Sequence, residues 1–194
     1  MFANTITTIE IEELEQIDFR GEIKVIDSHG KALEEAIEYL NSQRVIGFDT
    51  ETKPCFVAGA QRNRTAILQL SGNDIAYIFR LQQLGLPKKL AKVLENPSII
   101  KVGAAVKDDI IGLKHYTKFQ SHGFIDLQSI AEKFGIEAKS VKKLTAIILG
   151  KKVSKSQQLS NWESAELSEA QLKYAAIDAW VCREMYIKLM NSDE

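Results

Sequence analysis

Arg44-Val-Ile-Gly-Phe-Asp-Thr-Glu51 is the stretch from which the rest of this chain can be read. Val45 to Phe48 is a short apolar run of the kind that fills a buried strand, and carboxylates follow directly at its end. Side chains two apart on a strand leave the same face, so Asp49 and Glu51 can converge on one ion. Charge at the rim of a hydrophobic core is costly unless a cation or partner compensates it. Standing alone, an Asp-x-Glu is more often a turn former followed by a solvated acid, so other residues must decide.

Outward from this strand the chain alternates between two periodicities. Residues 23–27 read as a short strand and 31–40 as an amphipathic helix, with Leu33, Ala36, Ile37 and Leu40 at helical spacing. After Pro54 and a loop holding Gly59, Arg62 and Arg64, residues 65–70 and 75–79 form strands joined by the Ser71-Gly-Asn-Asp74 turn. With 44–51 these predict an antiparallel meander. The pattern then turns to helices between short strands: helix 86–94, strand 99–102, helix 107–114 and strand 123–126. Helices 127–134, 141–149 and 168–190 close the chain, with Gly135 and Gly150 placed as stops. The class is α/β, a mixed β-sheet flanked by α-helices.

More acids lie at telling places. Tyr174 and Asp178 are four apart in the last helix, hence on one face, and Asp178 stands among Leu172, Ala175, Ala176, Ile177 and Ala179. Taken singly, Tyr174 reads as a half-buried aromatic and Asp178 as a surface acid, but an acid with such neighbours needs a reason. Lys101-Val-Gly-Ala-Ala-Val-Lys-Asp-Asp109 is a strand, a glycine turn and a first helical turn. A carboxylate there is favoured by capping and by the helix dipole, so one of Asp108 and Asp109 is expected to do only that. Asp126 is assigned as a helix cap in the same way.

Totals bound the function classes. The 194 residues, 45% of them hydrophobic, suit one domain spanning 1–194 with a substantial core. The two cysteines, Cys55 and Cys182, have no metal-type spacing and predict neither a disulfide framework nor a zinc site. An acidic first segment with Glu10, Glu12, Glu13, Glu15 and Asp18, and no membrane-length apolar run, predict a soluble cytoplasmic protein without membrane contact. A net charge of −1 does not announce a polyanion binder. Yet residues 138–162 contain no acid and hold Lys139, Lys142, Lys143, Lys151, Lys152 and Lys155.

Phe48-Asp-Thr-Glu51, Val102-Gly-x5-Asp109 and Tyr174-x3-Asp178 resemble, in order and spacing, the exonuclease motifs of the DEDD superfamily in its tyrosine-containing branch. The likeness is strongest to Werner-type exonuclease domains. It extends to Lys143-Leu144, Leu149-Gly-Lys151, Ser160-Asn-Trp162, Gln171 and Tyr174-Ala-Ala, and covers about residues 43–189. Two departures stand out: Ile111 where those domains have Trp, and the Gln158 region where they have Arg before Ser-Asn-Trp.

The resemblance implies a ribonuclease H-like fold and a 3′-5′ exonuclease acting on nucleic acid. It points to Asp109 rather than Asp108, and to Asp49, Glu51, Asp109 and Asp178 as ligands of two divalent cations, Mg²⁺ or Mn²⁺. Tyr174, with an ordinary pKa of about 10, would orient a water rather than act as a full base. Thr50, Arg62, Arg64, Lys142, Lys143, Lys151, Lys152 and Lys155 are the candidates for strand contacts, although lysines often only solvate a face. Trp162 is expected in the core. DNA is the favoured substrate, because ribonuclease D-like enzymes carry helical domains beyond the nuclease domain while these residues stop at Glu194. An RNA-directed enzyme and a non-catalytic nucleic-acid-binding scaffold are the alternatives; retention of all four acids and Tyr174 speaks against the scaffold.

Overall fold

A computed structural model describes residues 2–56, 63–154 and 156–192. At its centre is the expected meander: β2 (Val45–Thr52), β3 (Thr65–Ser71) and β4 (Ile75–Arg80) run antiparallel in turn. Asp49 stands opposite Gln69 and Glu51 opposite Ile67, with the register slipping between Glu51 and Thr52. On the other side of β2, β5 (Ile100–Gly103) and then β6 (Phe124–Asp126) add in parallel. β1 (Glu22–Ile26) pairs in parallel with β4, which completes the order β1-β4-β3-β2-β5-β6.

Pleat alternation divides this sheet into two packed faces. Ile46, Phe48, Leu68, Leu70, Tyr77 and Phe79 point to one side. There they meet Leu33 and Leu40 of α2 (Lys31–Asn41) and Leu90 and Leu94 of α4 (Lys88–Glu95). The short turn α3 (Leu81–Leu84) precedes α4 and adds Leu81 and Leu84 to the same core. The opposite face lies under α8 (Glu169–Met190), with Ile67 and Ile78 against Tyr174 and Ala175. A Cβ on Gly47 would stand 1.8 Å from the Ala179 carbonyl oxygen, so glycine is what lets α8 lie directly on β2. That close approach carries Asp178 to the strand carboxylates.

Helix ends are fixed by side chains the sequence places for it. Ser168 and Gln171 form a capping box at the start of α8, and the Gln171 amide also donates to Ser160 Oγ and the Asn161 carbonyl. Asp126 caps α6 (Leu127–Lys133), accepting from Gln128 N, and Ser140 caps α7 (Val141–Leu149). At α5 (Val106–Lys114) the structure corrects the capping expectation. Its N-cap is Ala105, in the left-handed region at φ 57°, with no side-chain cap, and neither Asp108 nor Asp109 fills that role. Asp126 instead accepts from Ala105 N at 3.2 Å.

Two features lie outside what local periodicity could show. The acidic first segment, including α1 (Thr8–Glu13), docks beside the loop after α7, with Ile17 N donating to Lys152 O at 2.8 Å and Lys152 N to Glu15 O at 3.0 Å. Lys101 is fully buried, donating to the Asn96 and Ile99 carbonyls at 2.7 Å each with the Phe124 ring centroid 5.3 Å away. Burial pulls its pKa down to about 8, while the carbonyls of Asn96, the C-cap of α4, and of Ile99, just before β5, supply the partners a buried ammonium needs. Among the described residues no helix is long and apolar enough to cross a membrane.

Candidate active site

β2 delivers Asp49 and Glu51 to the face covered by α8, and α8 delivers Tyr174 and Asp178 from above. One carboxylate oxygen from each of Asp49, Glu51 and Asp178 lies within 4.8 Å of the others. Burial raises Asp49 well above the usual carboxylate range, with Asp178, Glu51 and Asp109 adding repulsion. Glu51 is pushed up to about 8, first by burial and then by Asp178 and Asp109. Such a group of acids is unfavourable by itself, and a bound cation would remove both the repulsion and the desolvation cost. Hard carboxylate oxygens are the donor set of Mg²⁺-class ions rather than of zinc or copper, so the residues fit a divalent metal.

Asp109 stands apart from this trio. Thr50, between Asp49 and Glu51, points to the other face of β2, and its hydroxyl donates to Asp109 Oδ1 at 2.5 Å. Burial raises Asp109 to about 6, an effect the Thr50 hydrogen bond opposes and the charges of Asp108 and Asp126 reinforce. It is still close enough to figure in the electrostatics of Asp49 and Glu51. Tyr174 is pushed above its ordinary value by burial first, then by Asp178 and Glu51, and its phenol is hydrogen-bonded with Asp178. Its ring lies 5.9 Å, centroid to centroid, from Trp162, which is fully buried as expected.

Two clefts meet at β2. One, of about 330 Å³, contains Asp49, Glu51, Tyr174 and Asp178 together with Gln128, Lys142 and Gln158. The other, of about 700 Å³, lies on the Asp109 side and is lined by Thr50, Lys53, Asn63, Arg64, Ile111 and His115. Lys53, Asn63, His115 and Gln128 were not singled out by sequence. None belongs to a spaced motif, and only the convergence of β2, α5 and α6 brings them to the clefts.

The basic candidates divide accordingly. Lys142 lines the acid cleft and pairs with Glu12 at 2.7 Å. Lys151 pairs with Glu15 at 2.5 Å, and Lys152 reaches the Glu12 carbonyl at 2.6 Å and its carboxylate at 3.5 Å. Lys143 lies in the first turn of α7, its backbone N donating to Ser140 Oγ. The Arg64 guanidinium sits 5.9 Å from the Tyr116 ring centroid. Arg62 and Lys155 lie outside the described residues.

Comparison with known proteins agrees with this geometry. The chain is 34% identical over 158 residues to the mouse bifunctional 3′-5′ exonuclease/ATP-dependent helicase WRN, covering 78% of this chain and 11% of that protein. It is 33% identical over 161 residues to exonuclease 3′-5′ domain-containing protein 2 of Drosophila melanogaster, covering 81% of this chain and 27% of the relative. It thus spans about a quarter or less of the length of these relatives. The crystal structure of the Aedes aegypti Nibbler EXO domain superposes with a TM-score of 0.77 at 26% identity, over 90% of this chain and 91% of that one. The fold is accordingly ribonuclease H-like, as the resemblance implied. The family model for 3′-5′ exonucleases matches residues 25–192, which takes in both strand acids, Asp109, Tyr174 and Asp178, and the chain belongs to that family.

Proposed function

We propose that this chain hydrolyses phosphodiester bonds one at a time from the 3′ end of a nucleic acid, DNA in preference to RNA, with two divalent cations, Mg²⁺ or Mn²⁺. The observation that carries the reading is the meeting of Asp49, Glu51 and Asp178 within 4.8 Å, with Tyr174 on the same helix face as Asp178. Asp49, Glu51, Asp109 and Asp178 would hold the two ions between them. When bound, such ions acidify water and draw off the charge that develops on a leaving oxygen.

The chain's own groups do the positioning. Tyr174 keeps its proton at neutral pH, since its surroundings raise its pKa, and so serves to orient a water rather than to deprotonate it. Lys142, on the rim of the acid cleft, meets a phosphate of the substrate strand. Its exposed partner Glu12 is no obstacle, because a solvent-screened surface ion pair is readily exchanged for a phosphate. Arg64 and Lys53, which line the larger cleft, follow the strand away from the acids.

The preference for DNA is supported by the Werner-type motif pattern and by 31% identity over 161 residues to DNA polymerase I of Aquifex aeolicus. Matched DNA and RNA strands of one sequence, single-stranded or with a recessed 3′ end, test it directly. The proposal predicts faster metal-dependent shortening of DNA. Faster loss of RNA would transfer the substrate assignment to RNA, and binding of either strand without cleavage would establish the scaffold.

A further inference from the structure

Gln69 is a polar residue where the sheet calls for an apolar one. It stands in Thr65-Ala-Ile-Leu-Gln-Leu-Ser71, every residue of which is buried, and is itself 1% exposed. Neither its Oε1 nor its Nε2 has a hydrogen-bond partner among the described residues. A buried amide left unpaired loses its hydration without replacement, a cost that natural cores rarely carry. Leucine or methionine would fill the same space without that cost.

Its position gives the amide a use. In the register of β2 and β3, Gln69 is directly opposite Asp49, and in that of β3 and β4 it is opposite Ile78. Directly opposed residues project to the same face with Cβ atoms about 4.5–5.5 Å apart, within reach of a glutamine amide and a carboxylate. That face lies beneath α8, where Ile67 and Ile78 pack against Tyr174 and Ala175. Asp49 is half-buried and has a carboxylate oxygen within 4.8 Å of those of Glu51 and Asp178, so the donors that suit it are ones that bring no further negative charge. A primary amide is a neutral donor of this kind.

We infer that Gln69 is a positioning residue for Asp49: with metal bound, its Nε2 donates to the Asp49 carboxylate, directly or through one buried water, and fixes the direction in which Asp49 presents its oxygens. The inference rests on the proposed metal-dependent reading of the site. Gln69 touches neither metal nor substrate and acts only through Asp49. Groups that orient metal ligands in this way are typically worth about 10–100-fold in affinity or rate.

Gln69→Leu and Gln69→Met, near-isosteric and unable to donate, are compared with wild type in thermal unfolding, Mn²⁺ titration and steady-state cleavage of a single-stranded DNA. The expected result is a melting temperature in EDTA equal to or above wild type, Mn²⁺ affinity and kcat each lower by about tenfold or more, and an unchanged KM for the strand. Opposite movement of stability and activity is something a purely structural glutamine would not produce. Variants with Mn²⁺ affinity and kcat within twofold of wild type would overturn the inference, as would a loss of stability with kcat retained. A measurement on the unaltered protein stands beside these: the side-chain NH₂ resonances of Gln69 are expected to shift on addition of Mg²⁺, and their indifference to Mg²⁺ would overturn it equally. Wild-type protein that binds no metal and cleaves no strand would instead remove the functional reading on which the inference stands.

Discussion

Thr50 and Asp109 are 59 residues apart in sequence, yet the Thr50 hydroxyl donates to the Asp109 carboxylate at 2.5 Å across the face of β2 opposite the other acids. The strand therefore presents its carboxylates to one cleft and holds the fourth acid of the site from behind. Replacing Thr50 with Val keeps the β-branched shape but removes the donor that favours ionised Asp109. Thr50→Val is expected to raise the Mn²⁺ concentration needed for half-maximal activity by about tenfold, with the melting temperature nearly unchanged. A metal titration of the cleavage rate checks this.

Metal-free protein should lose stability as pH rises. Glu51 at about 8 and Asp109 at about 6 lie above the unfolded-chain values of about 4.3 and 3.9. Between those limits the folded protein holds protons that the unfolded chain has released, so each step upward in pH favours unfolding. These groups weaken the fold least below about pH 4, and the penalty is complete once pH has passed about 8. Denaturant unfolding in EDTA across pH 5 to 9 is expected to show this decline. Saturating Mg²⁺ should flatten it, since the ion stabilises the ionised acids.

Tyr174→Phe separates orientation from metal binding. Loss of the phenol removes the group that orients the water but leaves the three neighbouring carboxylates intact. The expected change is a fall in kcat of about 10²-fold, with Mn²⁺ affinity by direct titration within twofold of wild type. A parallel loss of both would make Tyr174 a support for Asp178 rather than a partner of the water.

Lys142 and Lys151 are both paired to the first segment, but only Lys142 lines the acid cleft. Lys142→Ala is expected to lower the slope of log K against log salt for single-stranded DNA by about one, and Lys151→Ala to leave it unchanged. Equal slopes for both variants would place the strand elsewhere.

The sequence carried the site further than it carried the sheet. That Asp49 and Glu51 share a face, and Tyr174 and Asp178 another, was legible because each pair lies on a single element where spacing fixes the face, but that the pairs meet came only from the resemblance. Asp109 could be assigned only by resemblance, and its attachment to Thr50 depends on how α5 returns over β2, which no local pattern records. The place of β1 beside β4 was hidden for the same reason, since parallel pairing across an intervening helix and two strands leaves no local trace. No spacing in the sequence links the acidic first segment to the basic one, but Glu12 and Lys142, 130 residues apart, pair in the fold. Gln69 did carry a signal, a lone amide within a buried strand, which strand periodicity alone passes over.

Metal-dependent cleavage by these acids is read out by following a 5′-labelled single strand with wild-type and Asp49→Asn protein in Mg²⁺, Mn²⁺ or EDTA. The expected pattern is a ladder shortening from the 3′ end with wild type and either metal, none in EDTA, and almost none with Asp49→Asn. An intact strand after incubation with folded, metal-saturated wild type, or an Asp49→Asn variant that keeps most of the wild-type rate, would contradict it.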